Sequence, residues 1–106
     1  MNKQYAIVRN MVIEKIDLLR ISDGAYRGEF SYSKSTYAVK VTVENHKIKN
    51  IEVLQNGTSE YAKKAEGVLR KVIDEQSLQV DVVSGSTTTS KSLLKATENA
   101  LKKGLK

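Results

Sequence analysis

From Tyr37 to Leu54 the chain alternates between two sets of side chains, and that pattern restricts the fold more than any other stretch. Tyr37, Val39, Val41 and Val43 are interleaved with Ala38, Lys40 and Thr42, and a period of two puts each set on its own sheet face. Glu44-Asn45-His46-Lys47 reads as the tight turn of a hairpin, with Ile48 to Leu54 as the returning strand. The alternation of that strand slips near Asn50, where a β-bulge is expected. Upstream, Tyr26 to Tyr32 alternates as well. Tyr26, Phe30 and Tyr32 share one face with Gly28 between them, so a further strand completes a meander.

Helical spacing flanks the meander. Tyr5, Val8, Val12, Ile16 and Leu19 predict a helix over 4–19, which Asp23-Gly24 ends. Asn56-Gly57-Thr58-Ser59 is a turn and a helix cap together. The helix after it turns Tyr61, Ala65, Val68, Leu69, Val72 and Ile73 inward, and Lys63, Lys64, Glu66, Arg70, Lys71 and Glu75 outward. Ser77 to Val83 returns in extended form as a candidate short strand. A last helix is expected from about Ser90, with Leu93, Leu94, Thr97, Ala100, Leu101 and Leu105 inward. The fold class this order implies is α+β: one small domain whose antiparallel three- to four-stranded meander packs against two or three helices. Residues 1–22 are expected to form an N-terminal helical segment and residues 23–106 the domain proper.

Composition excludes several chemistries. The chain has 106 residues, 40% of them hydrophobic, enough for one modest core. With no cysteine there are no disulfides, thiolate metal sites or thiol chemistry. A single histidine argues against a histidine-based zinc or copper site. Apolar runs are only a few residues long, so no membrane span is expected. No signal-peptide stretch opens the chain, and if Met1 is the natural start the expected location is cytoplasmic. The net charge is +6, yet residues 1–53 and residues 54–106 each hold nine Lys/Arg and six Asp/Glu. Nucleic-acid binders concentrate their charge on one stripe. An even spread fits solubility and a mild preference for anionic ligands, and no nucleic-acid partner is expected.

The chemistry points to Val80-Asp81-Val82-Val83-Ser84-Gly85-Ser86-Thr87-Thr88-Thr89-Ser90. A strand-like run enters a turn of one glycine and six hydroxyl side chains, which opens into a helix. The first N–H groups of a helix lack partners and lie at the positive end of its dipole, where a phosphate is well placed. Gly85 lets the backbone approach a ligand, Ser86 keeps the next position small, and Thr87, Thr88, Thr89, Ser84 and Ser90 supply hydroxyls. Asp81 can brace the turn through its N–H groups or hold a metal ion beside a phosphate. Taken on hydroxyl count alone, the same residues also suit simple helix capping.

The same segment resembles the signature of the FMN-binding domain family, an Asp followed by small or apolar residues, then Ser-Gly-Ala-Thr-x-Thr-Ser and a helix. That family includes flavin-carrying subunits of the sodium-pumping NADH:quinone reductase and of the Rnf electron-transport complex. Asp23-Gly24-Ala25-Tyr26-Arg27-Gly28 resembles its opening Asp-Gly-x-Tyr-x-Gly strand. Val41-Thr42-Val43-Glu44-Asn45-His46-Lys47-Ile48 resembles its hairpin, and Ile51-Glu52-Val53-Leu54 its third strand. The helix ending Val72-Ile73-Asp74-Glu75-Gln76-Ser77 also fits, so the likeness runs from about Asp23 to Lys103. It departs from the pattern at Ser86, where the family usually has Ala, and at His46, where it usually has Gly.

The resemblance implies FMN as cofactor, electron transfer as role, and residues 23–106 as the FMN-binding domain. It implies a phosphoester between FMN and Thr87, made by a separate flavin transferase with FAD as donor, and a redox partner protein or a homodimer that shelters the ring. Reversible FMN binding at the same turn competes with the covalent form. No nucleophile–base pair or paired-carboxylate site stands out, so a redox carrier is expected rather than an enzyme with its own substrate. The rival readings are a basic binding module for an anionic partner or nucleic acid, and a domain that kept the fold without the cofactor. Tyr26, Phe30, Tyr32 and Tyr37 are weaker candidates for stacking on a flavin than for core positions. Lys91 could face a phosphate, though a lysine there is usually solvated.

Overall fold

Three strands, Gly24–Tyr32 (β1), Ser35–Glu44 (β2) and Lys47–Gln55 (β3), form an antiparallel sheet in the order β1-β2-β3. The computed structural model describes Val8 and residues 10–32, 35–83 and 86–105, with Tyr32 and Tyr61 described by backbone alone. β2 lies between its neighbours, and its Tyr37, Val39, Val41 and Val43 are buried while Lys40 is exposed, as the period of two requires. The hairpin turn places Asn45 and His46 both in the left-handed region, at φ 54° and 62°. Two left-handed residues twist the chain the way paired strands demand. The expected bulge is present: Thr42 faces Asn50 and Val43 faces Ile48, so Lys49 is the extra residue. A second irregularity, between Ala38 and Val39, leaves Leu54 unpaired and exposed.

The predicted middle helix is two helices, Glu60–Ala65 (α1) and Gly67–Glu75 (α2). Ser59 caps α1, its Oγ accepting from the Ala62 N–H at 3.1 Å. The break falls at Glu66 and is held by Asn56, whose Nδ2 donates to the Ala62 carbonyl (2.9 Å) and to Glu66 Oε2 (2.8 Å). Periodicity alone does not register such a break, because the inward stripe of Ala65, Val68, Leu69 and Val72 continues across it. α2 stops at Gln76, left-handed at φ 53°. The Gln76 amide then engages the outer edge of β3: Ile48 N–H donates to Oε1 (2.7 Å), and Nε2 donates to the Ile48 carbonyl (2.9 Å) and to that of Ile73 (2.8 Å).

That contact helps explain why the extended run Ser77 to Val83 is no fourth strand. The edge of β3 at Ile48 is already paired with a side chain, and Leu78 drops into the core instead. Among the described residues the sheet has three strands. The last helix, Thr87–Lys102 (α3), begins earlier than its apolar stripe suggests. It lies across β1 and β2 on the helical side of the sheet, burying Leu93, Leu94, Thr97, Ala100 and Leu101. Leu105, expected inward, is exposed, because α3 ends at Lys102 and Leu105 instead pairs through its backbone with Ile21.

The helix predicted over 4–19 is corrected from Met11 onward; Val8 is helical, and residues 1–7 and 9 lie outside the described residues. From Met11 to Asp17 the chain has no regular structure, and Leu18–Arg20 is a single 3-10 turn that the Asp17 side chain caps. Polar groups of other elements hold this strap by its backbone. Lys91 Nζ donates to the Met11 carbonyl (3.0 Å), Gln79 Nε2 donates to that of Ile13 (2.7 Å), and Glu14 N–H donates to Glu98 Oε1 (2.7 Å). With those bonds made elsewhere, the strap buries Ile13 and leaves Val12 and Leu19 about three-quarters exposed, at 76% and 74%.

Candidate functional site

The hydroxyl-rich turn sits where the strand-like run meets α3. Ser84 and Gly85, two of the expected site residues, lie outside the described residues. On either side of them the turn is closed by its own backbone, the Ser86 N–H donating to the Val83 carbonyl at 2.9 Å. Ser86 is the N-cap of α3, and its carbonyl accepts the first helical bond, from the Ser90 N–H at 2.9 Å. No side-chain cap hydrogen bond is made there. The N–H groups of Thr87, Thr88 and Thr89 occupy the first-turn positions that an α-helix leaves without an internal acceptor.

The hydroxyl residues divide by burial. Thr87, Thr88 and Thr89 are half-buried, within reach of a bound group. Ser86 and Ser90 are buried. Ser90 Oγ accepts from the Val83 N–H at 3.2 Å and so braces the turn from beneath. One turn on, Ser92 Oγ donates to the Thr88 carbonyl at 2.9 Å. Asp81 is exposed; its carbonyl accepts from Lys71 Nζ at 3.2 Å. Among the described residues no group of three or more His, Asp or Glu could hold a metal ion.

These residues suit a phosphoryl group. A helix start without a side-chain cap, ringed by three partly accessible threonines, presents donors and a positive dipole end together. Lys91, one turn further along α3, turns its ammonium to the Met11 carbonyl, and a lysine ammonium carries two further N–H donors.

Two of the aromatic candidates are committed elsewhere, Phe30 packs half-buried against the core, and the Tyr32 side chain lies outside the described residues. Tyr37 is core. Tyr26 donates its hydroxyl to the Ser22 carbonyl, and its ring lies against Gly104, where a Cβ would meet it at 2.6 Å. His46 is exposed in the hairpin turn, its Nδ1 3.3 Å from the Leu18 carbonyl.

The sequence reading did not single out Glu98. It is fully buried and receives Lys95 Nζ at 2.8 Å, Lys102 Nζ at 3.0 Å and the Glu14 N–H at 2.7 Å. Burial pushes its carboxyl pKa up, but the hydrogen bonds from Lys95, the Glu14 N–H and Lys102 outweigh that and hold it below the ordinary carboxylate value. Lys102 also pairs with the Glu14 carboxylate at 2.7 Å, and its bonds to Glu14 and Glu98 hold its ammonium above the ordinary lysine value. One signal was available: Glu98 falls on the helical stripe that carries Leu94 and Leu101.

No helix among the described residues is long and apolar enough to cross a membrane. Over 83 residues the chain is 31% identical to an uncharacterized protein of Treponema pallidum (strain Nichols), a match that covers 76% of this chain and 23% of that protein. The chain thus spans less than a quarter of that relative's length. Residues 33–102 match the FMN-binding domain family, and the match takes in the hairpin, α1, α2 and α3, and the hydroxyl-rich turn. The chain therefore belongs to the FMN-binding domain family, with FMN as its cofactor.

Proposed function

We propose that the protein is an electron carrier, with the FMN phosphate seated at the start of α3 and esterified to Thr87. The observation that carries this reading is the position of Thr87 as the first residue of a helix that lacks a side-chain cap, half-buried among Thr88 and Thr89. It stands where the threonine of the Ser-Gly-Ala-Thr motif stands in the respiratory members that this chain resembles. The flavin supplies one- and two-electron chemistry when bound; the chain positions it and sets its surroundings. Thr88 and Thr89 offer hydroxyl and N–H donors to the phosphoryl oxygens, and Ser90 keeps the turn in shape from below. Residues 23–106 form the flavin-carrying unit, and a separate redox protein or a second copy covers the ring.

Attachment at Thr87 needs FAD and a flavin transferase. The Thr87 hydroxyl oxygen bonds to the FMN-side phosphorus, the pyrophosphate P–O bond breaks, AMP leaves, and the hydroxyl proton passes to a base of the transferase. Intact mass after co-expression with a flavin transferase tests this directly. The expected result is a gain of one FMN-phosphoryl unit that Thr87→Ala removes. An adduct that survives Thr87→Ala overturns the residue assignment. FMN retained without an adduct means reversible binding at the same turn. Electron transfer is tested by reducing the loaded protein and mixing it with candidate acceptors: re-oxidation by a partner at micromolar concentration supports the role, and re-oxidation by oxygen alone argues against it.

A further inference from the structure

We propose that the protein associates with a second copy of itself, the exposed Leu19 of each chain seating in an apolar cleft between β3 and α2 of the other. The proposal concerns a surface outside the hydroxyl-rich turn and does not depend on where the flavin is attached.

The cleft has a volume of about 460 Å³, in the size range of binding sites. Ile51 and Val53 of β3 and Leu69 and Ile73 of α2 line it with apolar surface, and Arg70 and Asp74 stand exposed at its rim. Among the described residues neither Arg70 nor Asp74 forms an ion pair, although they are four residues apart on one helix. The neighbouring edge of β3 does not invite an added strand, because Gln76 closes it at Ile48 and the bulge at Lys49 distorts it. A projecting side chain, and not a strand, is what the cleft takes.

The same chain carries a matching projection. Leu19 is a large apolar side chain left 74% exposed in the 3-10 turn Leu18–Arg20. Asp17 accepts from the Leu19 N–H at 3.0 Å, which holds the backbone that carries this side chain. Lys15 and Asp17, both exposed, precede it. Their charges are opposite to those at the rim of the cleft: Lys15 answers Asp74, and Asp17 answers Arg70.

Projection and cleft flank the end of α2. Ile73 and Asp74 line the cleft, and Gln76 borders a second cavity, of about 500 Å³, whose other walls are Lys15 to Leu19. A two-fold axis beside Gln76 brings the projection of each chain to the cleft of the other, so every contact occurs twice and the assembly closes as a dimer. Burial of Leu19 against Ile51, Val53 and Ile73 supplies the apolar contact. The rim pairs, worth little as exposed ion pairs, set the register. Neither cavity takes a residue of the hydroxyl-rich turn or of α3, so Thr87 stays outside the contact.

Sedimentation equilibrium of the FMN-loaded chain, from micromolar to millimolar concentration, tests this. A monomer–dimer equilibrium is expected, weakened at least about tenfold in Leu19→Ser. The circular dichroism of that variant should match the parent's, because Leu19 lies outside the core. Lys15→Glu and Asp74→Lys should each dimerise less than the parent. An equimolar mixture of those two should dimerise better than either alone, because each copy then offers the charge that the other lacks. The same results are expected without FMN, so a failure of flavin binding leaves this test standing. A parent that stays monomeric across the range overturns the proposal. So does a dimer that Leu19→Ser leaves intact, a mixture no better than its components, or growth beyond the dimer.

Discussion

A Cβ placed on Gly28 would lie 2.0 Å from the carbonyl oxygen of Ala96. The same atom would lie 2.4 Å from the Ala100 backbone nitrogen, so β1 and α3 touch backbone to backbone. This approach sets the distance of α3 from the sheet at Ala96 and Ala100. Gly28→Ala therefore forces two rigid elements apart. A loss of about 3 kcal/mol or more is expected, read as a lower denaturation midpoint. An unchanged midpoint would show that α3 moves away from β1 at little cost.

Gln76 acts as a substitute strand at the edge of β3. Gln76→Ala leaves the Ile48 N–H and carbonyl without their partner, for an expected loss of about 2 kcal/mol. Gln76→Glu keeps the acceptor and loses the donor to Ile48 and Ile73. It should be destabilised as well, and more so at neutral than at acid pH. Equal stability of all three proteins in urea would refute this.

Glu98 should impose an acid limb on stability. Its folded-state pKa lies below the ordinary value of 4.5. Its contribution is therefore fully present above that value and is lost as the pH falls through the lowered folded pKa. Glu98→Gln should flatten the stability profile below about pH 4.5 and lower the plateau above it. Parallel profiles for the two proteins would assign the acid limb to other carboxylates.

Ser90 separates support from attachment. Its buried Oγ is the acceptor of the Val83 N–H, so Ser90→Ala should cost about 1–3 kcal/mol. Because Thr87 keeps its hydroxyl, the flavin adduct should still form, at full stoichiometry below the lowered melting temperature. Loss of the adduct in a folded Ser90→Ala protein would place that hydroxyl in the attachment itself.

Much of the sheet and of the candidate site's local shape was legible from residues close together in the chain. The meander, its bulge next to Asn50 and the hydroxyl-rich helix start all follow from periods of two and from turn chemistry, which act over a few residues. The break at Glu66 was hidden because the inward stripe runs through it, and the burial of Glu98 because a charged side chain reads as solvated until its partners are known.

The sequence by itself determined an antiparallel meander of three or four strands, helices with inward faces, and a helix start rich in hydroxyls that resembles a flavin-binding family's. Only the tertiary structure decided the path of the strap. The bonds that place the strap, from Gln79 to Ile13, Lys91 to Met11 and Glu14 to Glu98, join residues 66, 80 and 84 positions apart. Helical spacing in Val12, Ile16 and Leu19 could not compete with them, because a short helix is marginal alone and a backbone already bonded to another element has nothing left to gain by coiling.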